Sequence, residues 1–147
     1  MTDLDSLRPT LDAVLDELIP ARGDGLPGAG GLGIGAHVVA KLGDAAPFVA
    51  AGLAACDAQA RERGAEGFAA LPAAERRPLL ERLAVEREGF LQSLVFHTYT
   101  GYYQHPRVAE AIGIPGRPPY PDGYELEAGD LGPLARVRER GKRYRDV

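Results

Sequence analysis

Apolar residues recur at helical spacing through most of the chain. Leu7, Leu11, Val14, Leu15 and Leu18 share one face of a helix expected over 6–18, with Pro9 near its first turn and Pro20 ending it. Asp12, Asp16 and Glu17 are expected on its outer face. A second helix, over 34–42, turns Val38, Val39 and Leu42 inward and carries His37, read as a surface or capping residue. A third, over 45–63, has Pro47 in its first turn and Asp44 as its expected N-cap. Its alanine face (Ala50, Ala51, Ala54, Ala55 and Ala58) permits close approach of a neighbouring helix, and Gly64 is its natural C-cap. Phe68 and Leu71 anchor the linker 67–72. The helix that follows buries Leu79, Leu80 and Leu83, and Pro78 is expected to kink or shorten it. Glu75, Arg76, Arg77, Glu81 and Arg82 form its solvated mixed-charge face.

The stretch 90–124 is the one around which the rest is expected to organise. Phe90, Leu94, His97 and Gly101 share a face, with Leu91, Val95 and Thr98 beside them, on a helix expected over 85–102. Tyr99, Tyr102 and Tyr103 crowd its last turns. His105-Pro106 stops it, and a short helix over 108–112 follows. Beyond lie Pro115-Gly116, Pro118-Pro119, Pro121 and Gly123, a run that neither a helix nor a central strand tolerates. Such a segment is ordered only by laying Tyr120 and Tyr124 on something apolar, either its own helices or another protein.

Helix is also what the composition favours, because alanine, leucine and glycine dominate and β-branched residues are few. The expected fold is all-α, a compact bundle of about five to seven helices in one domain. Its core covers about 7–112, its extended Pro/Gly/Tyr-rich segment 113–129, and a basic C-terminal helix or tail 130–147. In that tail Asp130 is the expected N-cap, and Leu131, Leu134 and Val137 form a modest apolar stripe. Six cations (Arg136, Arg138, Arg140, Lys142, Arg143 and Arg145) against Glu139 and Asp146 give residues 131–147 a charge of +4, leaving −8 on the rest. A basic tail of this kind suits phosphate or an acidic protein patch. The net charge of −4 argues against nucleic acid as the general partner.

A single cysteine, Cys56, excludes an internal disulfide and a cysteine-rich metal site, and its alanine surroundings mark it as a core residue. No apolar run approaches the roughly 18 residues of a membrane span, so no membrane insertion is expected. The acidic, polar start MTDLDSLRPT is not a secretory signal. A cytoplasmic chain is therefore expected, periplasmic only if exported with a partner.

Candidate chemistry is sparse. The loop 20–35 contains Gly28, Gly30 and Gly33 at the G-x-G-x-x-G spacing, but an acidic helix precedes it where the dinucleotide fingerprint needs a strand. It reads as a connection. His97 and His105 flank the tyrosines, and they are the residues an autonomous enzyme or a metal- or ligand-binding protein would use. A metal site needs at least three ligands, and neither a nucleophile nor an oxyanion hole is evident nearby. No catalytic, cofactor or metal residue is assigned. The residues expected to meet a partner are Tyr99, Tyr102, Tyr103, His105, Pro106, Pro115, Arg117, Tyr120 and Tyr124, since tyrosine and arginine are favoured at interface cores.

One order of short motifs resembles a known family. Leu18-Ile19-Pro20 comes first, then Asp24 with Pro27-Gly28-Ala29, then Phe68 and Leu71, then Phe90 and Thr98. Gly101-Tyr102-Tyr103, His105-Pro106, Ile112-Gly113, Pro115-Gly116 and Gly123-Tyr124 complete it. The pattern is similar to that of the gluconate 2-dehydrogenase subunit 3 family. The resemblance implies a small, non-catalytic helical subunit that accompanies a large flavin-dependent sugar or alcohol dehydrogenase of the glucose-methanol-choline type. It places FAD in that partner and no cofactor in this chain, and it adds a cytochrome c subunit in some complexes. Many members carry a twin-arginine export signal; none is visible here. Arg107 to Ile112 stands where a Gly-Gly-Asn and a tryptophan often follow.

Overall fold

The computed structural model describes residues 4–114, 123 and 128–143. Helices account for all its regular structure, and no strand appears among the described residues. By its contacts the chain divides into two compact units, Met1–Gly116 and Arg117–Val147. The first unit holds six helices: α1 (Arg8–Leu18), α2 (Gly35–Lys41), α3 (Ala46–Glu62), α4 (Ala73–Glu86), α5 (Phe90–Gln104) and α6 (Pro106–Ala111). A short 3-10 turn, Phe68–Ala70, links α3 to α4. The second unit holds the 3-10 turn Gly132–Leu134 and α7 (Ala135–Glu139).

The element that organises the first unit is α1 rather than α5. It packs against α2, α3, α4, α5 and the 3-10 turn. Thr10, Leu11, Ala13, Val14 and Leu15 are all buried on an 11-residue helix, so neighbours cover more than one of its sides. Its polar residues are drawn in as well. Asp12 pairs with Arg8 at 3.1 Å, and Arg8 also donates to the Gly33 carbonyl at 3.3 Å. Glu17 meets Arg76 at 3.9 Å and Arg77 at 4.0 Å across from α4. Asp16 accepts the backbone N–H groups of Gly30 at 2.8 Å and Gly31 at 3.2 Å. The face of α1 expected to point outward instead meets α4 through Glu17 and holds the glycine loop through Asp16. The loop amides that could cradle a phosphate are already occupied by the carboxylate of Asp16. Gly30 lies so close to the Asp12 carbonyl that a Cβ there would collide with backbone.

Helix α3 buries Val49, Ala50, Gly52, Leu53, Cys56, Asp57 and Ala60. This face is rotated from the expected alanine stripe, because Ala51 and Ala58 are exposed. The larger residues Val49 and Leu53 decide the buried side, since they remove more apolar area from water than alanine does. Asp44 does not cap α3; it lies in the 3-10 turn Gly43–Ala45, and the N-cap residue is Ala45 with no side-chain bond. The other end closes as expected at Gly64, where Ala65 N–H reaches the Ala60 carbonyl at 3.1 Å and Gly64 N–H the Arg61 carbonyl at 2.9 Å. Cys56 is fully buried, and burial pushes its thiol up to about 12, with Asp57 beside it adding to the shift. It stays protonated and serves as packing.

Gly52 of α3 lies directly against the Phe90 side chain of α5. A Cβ at Gly52 would overlap the ring of Phe90, which is fully buried. Gly52→Ala gains about 1 kcal/mol of helix propensity. The collision costs about 1–3 kcal/mol, because a ring enclosed in the core has little room to yield. A net loss of about 1 kcal/mol is expected in urea unfolding. In a Phe90→Leu background the same substitution is expected to cost nothing or to stabilise.

Helix α4 continues through Pro78 without shortening. Proline lacks the N–H that would reach the Ala74 carbonyl, but Ala74 is exposed, so that oxygen is open to solvent and the lost bond is tolerated. The helix expected to start at Val85 starts five residues later, at Phe90. Val85 belongs to α4 and is 84% exposed, and Gly89, at φ 89°, turns the chain before α5 begins at Phe90. That left-handed backbone excludes one continuous helix.

Candidate functional site: an aromatic face and groove on α5

Helix α5 has two apolar faces. Phe90, Leu94, Thr98, Gly101 and Tyr102 are buried and hold the helix to the body. Phe96, Tyr99 and Tyr103 recur at i, i+3 and i+7, which brings them to the side turned away from that core. Phe96 is 68% exposed, Tyr103 52% and Tyr99 46%. Val95 is also exposed. The Tyr99 and Tyr103 rings lie 6.1 Å apart, tilted, and Phe96 meets the His97 ring edge-on at 5.4 Å. Leaving this much ring surface in water is unfavourable at about 25 cal/mol per Å², which makes this face the candidate contact surface of the body.

The stripe borders a groove of about 250 Å³. Leu18, Ile19, Pro20, Arg22 and Leu26 line it together with Tyr99, Tyr102, Tyr103, Val108 and Ile112. Tyr102 makes the floor. Only 3% of it is exposed, its ring meets Tyr103 edge-on at 5.3 Å, and its hydroxyl donates to the Pro27 carbonyl at 3.3 Å. Burial pushes its phenol up, and neighbouring Tyr103 adds to this, so it remains a neutral donor. Arg22 is held at the rim by Asp24 at 2.8 Å.

A second, shallower groove of about 400 Å³ lies nearby. It is lined by Leu32, Gly33, Ile34, His37, Gly101, Gln104, His105 and Pro106. His37 packs over Gly101: a Cβ added there would come within 2.9 Å of the imidazole. Nδ1 of His105 accepts the Arg107 N–H at 3.3 Å and caps α6. The structure thus places His105 in the same groove as His37, whereas His97 sits against Phe96. Among the described residues no group of three or more His, Cys, Asp or Glu side chains is placed to hold a metal ion.

Of the expected partner-facing residues, Tyr99 and Tyr103 are on the exposed face, Pro106 is exposed, His105 is half-buried and Tyr102 is the groove floor. Pro115, Arg117, Tyr120 and Tyr124 lie outside the described residues. Phe96, Ile112 and Ile114, all exposed, were not singled out from the sequence. Phe96 had a readable signal, its spacing from Tyr99 and Tyr103. Ile112 had none, because only the tertiary fold brings α6 to this groove.

The groove draws together positions far apart in the chain, at 18–20, 26–27, 102–103 and 112. The described residues thus form an all-α body with an exposed aromatic face beside a preformed groove. The chain belongs to the gluconate 2-dehydrogenase subunit 3 family, whose model matches residues 6–116. That family takes its name from a subunit of a dehydrogenase. A comparison with curated proteins and one with solved structures found no match.

Proposed function

We propose that this chain is a non-catalytic small subunit that binds and stabilises a large FAD-dependent oxidoreductase of the glucose-methanol-choline type, acting on a sugar or polyol. The observation that carries the reading is the exposed stripe of Phe96, Tyr99 and Tyr103 beside the groove floored by Tyr102. Rings of this kind bring a large contact area at a small entropic cost, and residues of this type dominate binding energy when a partner desolvates them. Family membership supplies the kind of partner, a dehydrogenase subunit. FAD and the catalytic groups belong to that partner, and a cytochrome c subunit is a further member of the complex in some arrangements.

Stabilisation follows from mass action, because a subunit that binds only the folded partner shifts its folding equilibrium. Co-expression with the large subunit tests this directly. The partner is expected to be soluble and flavin-loaded with this chain present, and to be largely insoluble or flavin-depleted without it. A partner that is soluble, flavin-loaded and fully active alone would overturn the reading.

A further inference from the structure

The second unit lies outside the family match, which ends at residue 116, and the docking face does not account for it. Every described residue from 128 to 143 is exposed. Leu131, Leu134 and Val137 recur at three-residue spacing along the 3-10 turn and α7, each about half or more exposed. Arg136, Arg138, Arg140, Lys142 and Arg143 are interleaved with and follow them, against Asp130 and Glu139 alone.

We propose that residues 128–143 are a peripheral contact for an anionic lipid surface. The cations attract acidic headgroups, and the three aliphatic side chains enter the boundary between headgroups and acyl chains. Those aliphatics decide between possible anionic partners. A nucleic-acid backbone would use the arginines but gives Leu131, Leu134 and Val137 nothing to be buried against. The segment lies on the surface and does not cross it; among the described residues no single helix is long and apolar enough to span a membrane. This inference is independent of the partner assigned above.

Vesicle flotation of the full chain tests it, using phosphatidylcholine alone and phosphatidylcholine mixed with phosphatidylglycerol. At low salt, binding to the anionic vesicles is expected to exceed binding to the neutral ones by about 100-fold, the effect of roughly three net charges. High salt is expected to erase the difference. Arg136→Ser/Arg138→Ser/Arg140→Ser is expected to reduce binding to the neutral-vesicle level. Leu131→Ser/Leu134→Ser/Val137→Ser is expected to weaken it about 10-fold at unchanged charge. Circular dichroism confirms that each variant keeps its helical body. Equal binding to both vesicle types, or an arginine variant that binds like the parent, would overturn the proposal. So would arginines needed only to capture nucleic acid or the oxidoreductase.

Discussion

Replacing Asp57 with alanine is expected to lower the stability of the helical body by about 3 kcal/mol, which for a chain of this length is roughly 10 °C in Tm. Asp57 is a buried carboxylate on α3, and its Oδ1 accepts the Thr10 hydroxyl of α1 at 2.7 Å and the Phe68 N–H at 2.9 Å. Arg61 approaches its other oxygen at 4.0 Å from the solvent side. One side chain therefore ties α1, α3 and the 3-10 turn together. Alanine would strand a buried hydroxyl and a buried amide, each costing about 1–3 kcal/mol, and the nearby surface admits some water to offset part of that. Asp57→Asn keeps an oxygen in the same place and is expected to cost only about 1 kcal/mol. Thr10→Val, which removes a single donor and leaves the carboxylate its other partners, should fall between the two. Urea unfolding followed by circular dichroism separates these values.

The second large effect concerns association, not folding. Phe96→Asp, Tyr99→Asp and Tyr103→Asp are each expected to weaken binding to the large subunit by about 100-fold, and any pair of them to abolish co-purification. A carboxylate buried at such a contact loses ring area and adds an unpaired charge. The same substitutions should change the stability of the isolated chain by less than about 1 kcal/mol, because these side chains already face water. Phe90→Asp, on the opposite side of the same helix and fully buried, is expected to unfold the body. That contrast separates a surface kept for a partner from one that builds the core.

What could be read from the sequence follows from how local the determining interaction is. The helical face of Leu11, Val14 and Leu15, the closing turn at Gly64 and the anchoring of Phe68 and Leu71 depend on neighbours a few residues away, and the structure has them as expected. The failures are tertiary. Asp16 looks like a surface residue until the loop returns to offer it two amides. Asp57 reads as one acidic residue among alanines until Thr10 and Phe68 are brought to it from 47 and 11 positions away. The face of α3 was misplaced because a row of alanines suggested close contact, whereas the close contact is made by Gly52 under the Phe90 ring. At the site, the tyrosine cluster was evident and its division was not. Tyr102 points to Pro27 as floor, while Tyr99 and Tyr103 remain outside, a partition set by a loop 75 residues upstream of Tyr102.

Hydroxyl-radical footprinting of this chain, free and in complex with the co-expressed large subunit, measures the covered surface most directly. In the free chain Phe96, Tyr99 and Tyr103 should be oxidised readily, and Phe68 and Phe90 hardly at all. In the complex the first three should become as unreactive as the buried pair. A complex in which all three keep their free reactivity would show that this aromatic face is not where the partner sits.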